Sequence, residues 1–397
     1  MGFKHLYYRT YHFGLKLAAL FLPIPEPHIF HGKNVISQWL TQLKANKCQR
    51  MLLVVDPDIL ALELHQSLYL ALIEAHVEVS IFSHFSANPN INQIEQGVFA
   101  YKQHHCDSLL ALGGGSAMDC AKLIGARIAR PKKSLQQMQG LFQVWGKLPP
   151  LYVIPTTAGT GSEVTVAAVV SDTERHIKFS INDLCLVPKG VLFLPELTTG
   201  LPAALTATTG IDALTHAIES YIGINDTRYT RGKSEQAIKL IFTALPMAFH
   251  QPNNVAARTD MLWAAMYAGQ AFTRTSVGYV HAIAHQLGAL YGISHGLANA
   301  LVLRAMLDFY GQRIDTKLTQ LAKQVIGEHS NANTLRSRIN DLLEELRIPS
   351  HIEQLREQDI PLIASNALAE AHPDYPVPLF MSQTDMEDVL RSLLSNN

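Results

Sequence analysis

Residues 108–122 read Ser-Leu-Leu-Ala-Leu-Gly-Gly-Gly-Ser-Ala-Met-Asp-Cys-Ala-Lys, an apolar run followed by three consecutive glycines. The first five residues predict a strand, and the glycines after them predict a tight turn into a helix. A continuous apolar run of this kind is typical of a strand buried on both faces of a parallel sheet. Glycines before a helix N-terminus let the backbone approach a phosphate closely. The stretch therefore indicates an α/β domain that binds a phosphate-bearing ligand.

The segments on either side of this stretch alternate between strand and helix patterns. The apolar run 51–55 predicts another buried strand, and it ends at the turn Asp56-Pro57-Asp58. Strands that alternate with helices in this way are typical of a doubly wound α/β domain. The patterns predict strands at 51–55, 77–82, 108–112 and 151–154, and helices at 32–45, 60–75 and 91–104.

From Leu201 onward, long patterns rich in Ala and Leu replace the β-branched runs and predict an all-α region. Breaks in these patterns are expected at Gly223, Pro246, Pro252, Gly288 and Gly327. A chain of 397 residues is also too long for one ordinary core. We therefore predict a doubly wound α/β domain at 1–201, with an N-terminal extension at 1–25, and an all-α domain at 202–397. A cleft between two such domains is a usual place for a ligand.

The composition excludes several classes of protein. Hydrophobic residues make up 48% of the chain and the net charge is −1, which indicates a compact protein rather than a disordered one. No block of Lys and Arg would follow a phosphate backbone, so we expect no nucleic-acid partner. The four cysteines are scattered without CxxC spacing, which is typical of free thiols in a reducing compartment. We therefore expect a cytoplasmic protein.

The N-terminus has a basic start followed by the apolar run 17–24, a pattern that loosely resembles a signal peptide. The run is short, it ends in the proline-rich segment 23–27, and no cleavage site follows it. A membrane span needs about 20 apolar residues, so we expect no membrane association. We interpret residues 1–25 as an amphipathic extension that packs on the body of the protein or on a partner subunit.

Two pairs of polar residues in the C-terminal half have helical spacing. Asp212 and His216 are four residues apart and share one helix face, as do His281 and His285, and His295 follows after a loop. A carboxylate combined with imidazoles suits a divalent transition metal such as iron or zinc. Each residue could instead pack or cap a helix, but the repeated spacing favours a metal site. From spacing alone, His285 is as good a ligand candidate as its neighbours.

A second loop, at 155–165, reads Pro-Thr-Thr-Ala-Gly-Thr-Gly-Ser-Glu-Val-Thr and also follows a predicted strand. Loops at the carboxyl ends of strands in an open α/β sheet line one ligand crevice. At one such end, Asp56 could accept hydrogen bonds from a ribose diol and repel a 2′-phosphate, which favours NAD over NADP. It could equally be a turn residue before Pro57. Ser116 and Asp119 likewise have the spacing of a capping box, which is a purely structural alternative.

With these motifs in place, the chain closely resembles the iron-containing alcohol dehydrogenase family. The similarity runs from about Pro27 to the last predicted helix, at 384–394, and rests on the glycine loop and on the stretches 155–165, 210–219 and 278–300. It implies an α/β N-terminal dinucleotide-binding domain and an all-α C-terminal domain, as in dehydroquinate synthase, with a metal in the cleft between them. It also implies reversible oxidation of an alcohol to an aldehyde or ketone with NAD, and we expect a homodimer.

The resemblance also implies roles for individual residues. The metal ligands would be Asp212, His216, His281 and His295, while His285 would lie beside the metal near the nicotinamide and pass a proton toward solvent. The metal would lower the pKa of the substrate hydroxyl, and family habit favours Fe2+, with Zn2+ as the alternative. The residues that would contact NAD are Asp56, Asn88, Gly114, Gly115, Ser116, Asp119, Thr156, Thr157, Thr165 and Lys178.

The chain departs from the family pattern at three places. Leu194-Pro195 stands where Asp-Pro is usual, Phe272 to Ser276 replaces a stretch in which Ser-Asn is usual, and the first 25 or so residues have no counterpart. Three alternatives stay open: a zinc-dependent polyol or glycerol dehydrogenase, a dehydroquinate-synthase-like lyase, and a non-enzymatic metal-bound regulatory or scaffold protein. The lyase would need more basic residues for a phosphorylated substrate than the single Arg274 between 272 and 296.

Overall fold

The computed structural model describes residues 3–175 and 177–395, which form two compact units. Pro23–Gly200 forms the α/β unit, and residues 201–395 form the helical unit together with residues 3–22. From the sequence, the N-terminal extension is predicted to belong to the α/β domain. The extension packs instead with the helical unit, because its side chains bind backbone carbonyls near residues 373–378.

The main sheet of the α/β unit has six parallel strands in the order β1-β9-β6-β4-β2-β3. Its central strands are buried along almost their whole length, which explains their continuous apolar sequences. The strands of the protein are β1 His28–Phe30, β2 Arg50–Val55, β3 Glu78–Phe82, β4 Ser108–Gly113, β5 Gly140–Leu141, β6 Leu151–Pro155, β7 Ala167–Asp172, β8 Ile177–Asn182 and β9 Gly190–Leu192.

The strand order reverses beside β2. From β2 the chain moves outward to β3 and then returns to β4 on the other side of β2. Strands β2 and β4 pair in parallel up to Val55 and Leu112, so their carboxyl ends meet at one edge of the sheet. This is the topological switch point, where doubly wound sheets bind their ligands. The sequence places Asp56 and the glycine loop at this point.

A second sheet, in the order β5-β8-β7, was not predicted from the sequence patterns. Its strands β7 and β8 form an antiparallel hairpin in which buried and partly exposed residues alternate. The predicted helix at 60–75 is divided in two, because Glu63 adopts a left-handed φ of 56° that a helix cannot contain.

The predicted helical content after Leu201 is confirmed. The helices of the protein are α1 Phe3–Phe21, α2 Val35–Ala45, α3 Pro57–Ala61, α4 Gln66–Glu74, α5 Ile91–Gln103, α6 Gly115–Ala129, α7 Ala203–Ile222, α8 Arg228–His250, α9 Val255–Thr275, α10 Tyr279–Tyr291, α11 His295–Tyr310, α12 Asp315–Val325, α13 Ala332–Glu345, α14 Ile360–Ala371 and α15 Gln383–Arg391.

Two of the breaks predicted in this region do not occur. Helix α8 continues through Pro246, which has no N–H to offer the carbonyl of Phe242; Arg338 Nη2 donates to that oxygen instead, at 2.9 Å. Helix α10 continues through Gly288 and ends at Gly292, whose φ of 68° lies in the left-handed region.

Within residues 3–175 and 177–395, no helix is both long enough and apolar enough to cross a membrane.

Candidate active site

Three helices of the helical unit bring the four predicted metal ligands together. Asp212 and His216 lie on α7, His281 lies in the first turn of α10, and His295 is the first residue of α11. One potential ligand atom from each residue lies within 4.8 Å of those from the others. Their imidazole nitrogens are 3.9 Å (His216), 3.8 Å (His281) and 3.5 Å (His295) from Asp212 Oδ1.

The environment of this cluster fits a divalent cation. Asp212, His216 and His281 are buried, and among the described residues neither His216 Nδ1 nor His281 Nε2 has a hydrogen-bond partner. Buried polar atoms are rarely left unsatisfied, so two such nitrogens beside a carboxylate point to a ligand. One carboxylate oxygen and three imidazole nitrogens form a donor set that suits Fe2+ or Zn2+.

The protonation states of the cluster also suit a metal. Burial lowers the pKa of His216 and of His281 to about 4, and burial together with the neighbouring imidazoles lowers that of His295 to about 3. Burial alone would raise the pKa of Asp212, but the three histidines and Asn299 hold it below its usual value. At neutral pH the cluster therefore presents neutral imidazoles and an ionised carboxylate, the forms that bind metals.

Glu219 orients His281 from behind the cluster. Its Oε2 accepts hydrogen bonds from His281 Nδ1, at 2.6 Å, and from Gly278 N, at 2.8 Å, while its Oε1 accepts from Val280 N, at 2.8 Å. A Cβ at residue 278 would lie 2.6 Å from Glu219 Oε1, so only glycine permits this approach. A carboxylate that holds Nδ1 directs Nε2 toward the cluster, the common arrangement behind metal-binding histidines.

Two further residues enclose the cluster. Asn299 Nδ2 donates to Asp212 Oδ1, at 2.7 Å, which fixes the orientation of that carboxylate. The ring of Phe272 stacks on His216 with centroids 4.2 Å apart and an interplanar angle of 15°. The start of α11 lies close to α7, since a Cβ at Gly296 would be 2.6 Å from Thr208 O. This close approach brings His295 beside Asp212.

The first prediction concerns Glu219. We expect Glu219→Gln to weaken metal binding by about 10- to 100-fold, the usual effect of losing such a supporting carboxylate. Glutamine has one acceptor oxygen, so at least one of the three N–H groups that Glu219 accepts would face an NH2 group instead. Calorimetric titration of the metal-free protein with Zn2+ measures the change. Ser220→Ala, a buried neighbour that contacts Thr275, is the matched control; equal affinities for Glu219→Gln and this control would contradict the assignment.

The structure places His285 outside the cluster of four. His285 lies one turn after His281, and its Nδ1 is hydrogen-bonded to Glu370 Oε1, at 2.6 Å. Glu370, on α14, also accepts from Gln286 Nε2, at 2.9 Å, and from Tyr375 Oη, at 2.8 Å. The rings of His285 and His295 stack with centroids 5.2 Å apart, and 41% of the His285 side chain is exposed. His285 therefore lies beside the candidate ligands with Nδ1 engaged by Glu370.

The glycine loop lies at the switch point of the α/β unit. Helix α6 begins at Gly115 with Gly114 as its N-cap, so the first amides of the helix follow β4 directly. Asp56 N donates to Leu112 O, at 2.9 Å, and a Cβ at Gly113 would lie 2.9 Å from Asp56 Cβ. The loop and Asp56 are thus neighbours. Asp56 also caps α3 by accepting from Asp58 N, at 3.0 Å, so the turn function considered for it is present as well.

The threonine loop lies against the glycine loop. Thr156 N donates to Gly113 O, at 3.0 Å, and a Cβ at Gly114 would lie 3.1 Å from Thr157 Oγ1. Thr160 is equally close to Gly115, where a Cβ would lie 2.9 Å from its methyl carbon. Glycines at these positions let the two loops approach one another.

Asn88 connects Ser116 to the β7–β8 hairpin, which carries Lys178. Asn88 N donates to Ser116 Oγ, at 3.3 Å, and Asn88 O accepts from Ser171 Oγ, at 3.3 Å. Ser171 in turn pairs with Lys178 across the β7–β8 hairpin. The capping box considered for Ser116 and Asp119 is wrong, because α6 starts at Gly115 and both residues lie inside it.

Asp119 and Thr165 hold the framework of the two loops. Asp119 accepts from Ser162 Oγ, at 2.9 Å, and from Val169 N, at 3.0 Å. Lys122 is fully buried, and its Nζ donates to Thr165 Oγ1 and to the carbonyls of residues 162, 165 and 167 at 2.6–3.0 Å. Burial lowers the pKa of Lys122 to about 8. These contacts tie α6 to the threonine loop, and direct cofactor contact by Asp119 and Thr165 stays a prediction.

Glu219, Glu370 and Asn299 were not identified from the sequence as site residues. A periodicity signal existed for two of them: Glu219 lies two turns after Asp212, and Asn299 lies one turn after His295. For Glu370 no local signal existed, since 85 residues separate it from His285. Only the packing of α14 on α10 brings these two side chains together.

Two family models match the chain. The family model described as iron-containing alcohol dehydrogenase matches residues 26–195, and that described as Fe-containing alcohol dehydrogenase family, C-terminal, matches residues 206–394. Together the two matches cover most of the chain.

Among curated relatives, "Alcohol dehydrogenase 4" of Schizosaccharomyces pombe is 35% identical, with 88% of this chain and 83% of the relative covered. "NAD-dependent methanol dehydrogenase" of Bacillus methanolicus is 33% identical, with 85% and 91% covered. A crystal structure of 1,3-propanediol oxidoreductase superposes with a TM-score of 0.88 at 32% identity, and the match covers 94% of this chain and all of that one.

Proposed function

The chain belongs to the iron-containing alcohol dehydrogenase family, and we propose that it reversibly oxidises a small alcohol to an aldehyde or ketone with NAD as hydride acceptor. The observation that carries this proposal is the convergence of Asp212, His216, His281 and His295 from three helices. The names of the relatives and the donor set support the same chemistry.

A divalent metal bound at the cluster supplies Lewis acidity for the alcohol or carbonyl oxygen, and NAD supplies the hydride chemistry. The protein contributes position and charge. Asp212 provides the negative charge of the cluster, Glu219 holds His281 with Nε2 toward Asp212, and Phe272 packs on His216. Because these groups are buried and held by hydrogen bonds, they need little reorganisation during the reaction.

His285 is the residue that we propose as the proton acceptor in alcohol oxidation. With Nδ1 hydrogen-bonded to Glu370, its Nε2 is the ring atom left to exchange a proton. The ring is 41% exposed, so a proton can pass from it to solvent. An imidazole held in one orientation by a carboxylate is well suited to this role.

The α/β unit would bind NAD at its switch point. We propose that the first amides of α6 and the two loops bind the pyrophosphate, and that Asp56 accepts hydrogen bonds from the adenosine ribose. Support comes from the position of Asp56 against Gly113 and from the close approach of Gly114 to Thr157. A carboxylate at Asp56 would repel the 2′-phosphate of NADP, so we propose a preference for NAD.

For the remaining features we propose Fe2+ as the metal, a homodimer as the assembly and the cytoplasm as the location. The donor set also suits Zn2+, and the family resemblance favours iron. All four cysteines are free, which supports a reducing compartment.

A substrate panel tests the proposed function. We expect protein reconstituted with Fe2+ to reduce NAD in the presence of short primary alcohols or diols, and the metal-free protein to be inactive. We expect kcat/KM to be at least about tenfold lower with NADP, because repulsion of its 2′-phosphate by Asp56 should cost about 1.4 kcal/mol or more of binding free energy. Parallel reconstitution with Zn2+, and glycerol in the panel, test the polyol dehydrogenase alternative. Absence of NAD reduction with every alcohol and either metal, in protein that binds NADH, would contradict the proposal.

A further inference from the structure

The N-terminal helix α1 binds one segment of the helical unit, residues 372–381, through the backbone of that segment. Arg9 Nη1 donates to Val377 O, at 2.7 Å, and Nη2 donates to Pro378 O, at 2.9 Å. The same guanidinium lies 4.2 Å from the ring centroid of Phe380. A planar guanidinium that binds two carbonyls and stacks on a ring is a geometrically demanding contact that lysine could not reproduce.

Further contacts come from the same face of α1. Tyr8 stacks on His372 with centroids 5.0 Å apart and an interplanar angle of 4°, and His12 Nε2 lies 2.6 Å from Pro373 O. His5, Tyr8, Arg9 and His12 follow the i, i+3, i+4, i+7 spacing of one helix face. The whole face is therefore directed at residues 372–381.

Residues 372–381 form neither helix nor strand, so their conformation depends on such contacts. The family models match residues 26–195 and 206–394, and both matches leave out α1. A terminal helix is usually frayed unless it is tied down, and this one is tied down by charge-assisted and aromatic contacts.

The bound segment reaches the candidate active site at Tyr279. Tyr279 Oη is hydrogen-bonded to His372 Nε2, at 2.9 Å, and accepts from Met381 N, at 3.1 Å. Tyr279 is fully buried and is the first residue of α10, two residues before His281. Its neighbours Gly278 and Val280 donate to Glu219, so this turn of α10 is held from both sides.

A second route runs through Glu370. Tyr375, within the bound segment, donates a hydrogen bond from its Oη to Glu370 Oε1, at 2.8 Å. The same oxygen is hydrogen-bonded to His285 Nδ1. A displaced segment would remove the Tyr375 hydroxyl from Glu370 and leave this carboxylate less constrained. The orientation of the His285 ring would then be less defined.

We propose that α1 is an intramolecular brace that positions the first turn of α10 and Glu370, and through them His281 and His285. Arg9 and Tyr8 are its positioning residues, which act through residues 372–381. The brace itself rests on contacts within the helical unit, and only its consequence for turnover rests on the proposed function. The proposal thus gives a structural role to α1, which the family models do not cover.

The full-length Arg9→Ala variant tests the brace by hydrogen–deuterium exchange of the backbone amides. We expect exchange at residues 279–286 and 370–381 to rise by about tenfold or more, because Arg9 makes two charge-assisted hydrogen bonds to this segment. Zn2+ release to a chelator should accelerate several-fold, and kcat should fall several-fold while KM for NAD is unchanged. Tyr8→Ala should give the same pattern through the lost stacking on His372.

Lys4→Ala is the matched control, because it removes one positive charge from an exposed position of the same helix. It should leave exchange, metal release and kcat as in the unmodified protein. Exchange at residues 279–286 that is unchanged in both Arg9→Ala and Tyr8→Ala would overturn the brace. An equal effect of Lys4→Ala would overturn it too. The exchange measurement needs no substrate, so it tests the brace even if the alcohol oxidation proposed above is wrong.

Discussion

His295→Ala should fold and bind NADH but contain almost no metal. Its turnover should fall by at least about 10³-fold, because a bound metal supplies several kcal/mol of transition-state stabilisation. His295 is the most exposed of the four candidate ligands, with 37% of its side chain accessible, so its truncation leaves the smallest cavity. Its Nε2 lies 3.5 Å from Asp212 Oδ1, and removing it leaves three protein donors.

Metal content by mass spectrometry, measured together with turnover and circular dichroism, checks this expectation. His250→Ala is the matched control, since it removes an exposed histidine on α8 that pairs with Glu345 away from the cluster. It should retain metal and activity. A folded His295→Ala protein with full metal content and normal turnover would show that these residues only pack and cap helices.

His285→Ala should retain the metal but lose about 10²-fold in kcat for alcohol oxidation, the usual contribution of a positioned proton acceptor. The His285 imidazole is hydrogen-bonded to Glu370 and is not one of the four candidate ligands, so the metal loses no donor. The loss should be greatest at low pH, where solvent hydroxide cannot replace the missing base. A pH profile of kcat, measured with metal content, separates this role from a ligand role.

Gln286→Ala serves as the control for His285. Gln286 donates to the other oxygen of Glu370, at 2.9 Å, so its removal disturbs the same carboxylate but leaves the imidazole in place. We expect it to retain most of its activity. If purified His285→Ala is metal-free, His285 is a ligand, and the separation of its role from that of His281 is wrong.

Local sequence patterns determined much of the α/β unit. Strands β2, β4 and β6 are buried on both faces, so nearly every residue in them must be apolar. These continuous apolar runs can be recognised in the sequence without any tertiary information. The glycine loop was also visible, because residues 113 and 115 approach Asp56 and Thr160 too closely for a side chain, and residue 114 has little room for one beside Thr157. The small β5-β8-β7 sheet was missed, since β5 has only two residues and the longer strands β7 and β8 are only partly buried.

The helical spacing of Asp212 and His216, and of His281 and His285, also identified the metal candidates from sequence alone. Spacing could not separate His281 from His285, because both lie on the same face of α10. Tertiary packing distinguishes them: Glu219 of α7 takes Nδ1 of one, and Glu370 of α14 takes Nδ1 of the other. Each distinction depends on a residue more than 60 positions away along the chain.

The N-terminal extension shows the same limit. Its sequence predicted an amphipathic extension, but the partner of that extension was left open between the body of the protein and another subunit. Arg9 meets Val377 and Pro378 across more than 360 residues, and backbone carbonyls carry no sequence signature. The sequence thus predicted which residues could bind a metal or a phosphate. Tertiary structure alone decided which groups meet, because side-chain hydrogen bonds between distant segments exist only after the helices have packed.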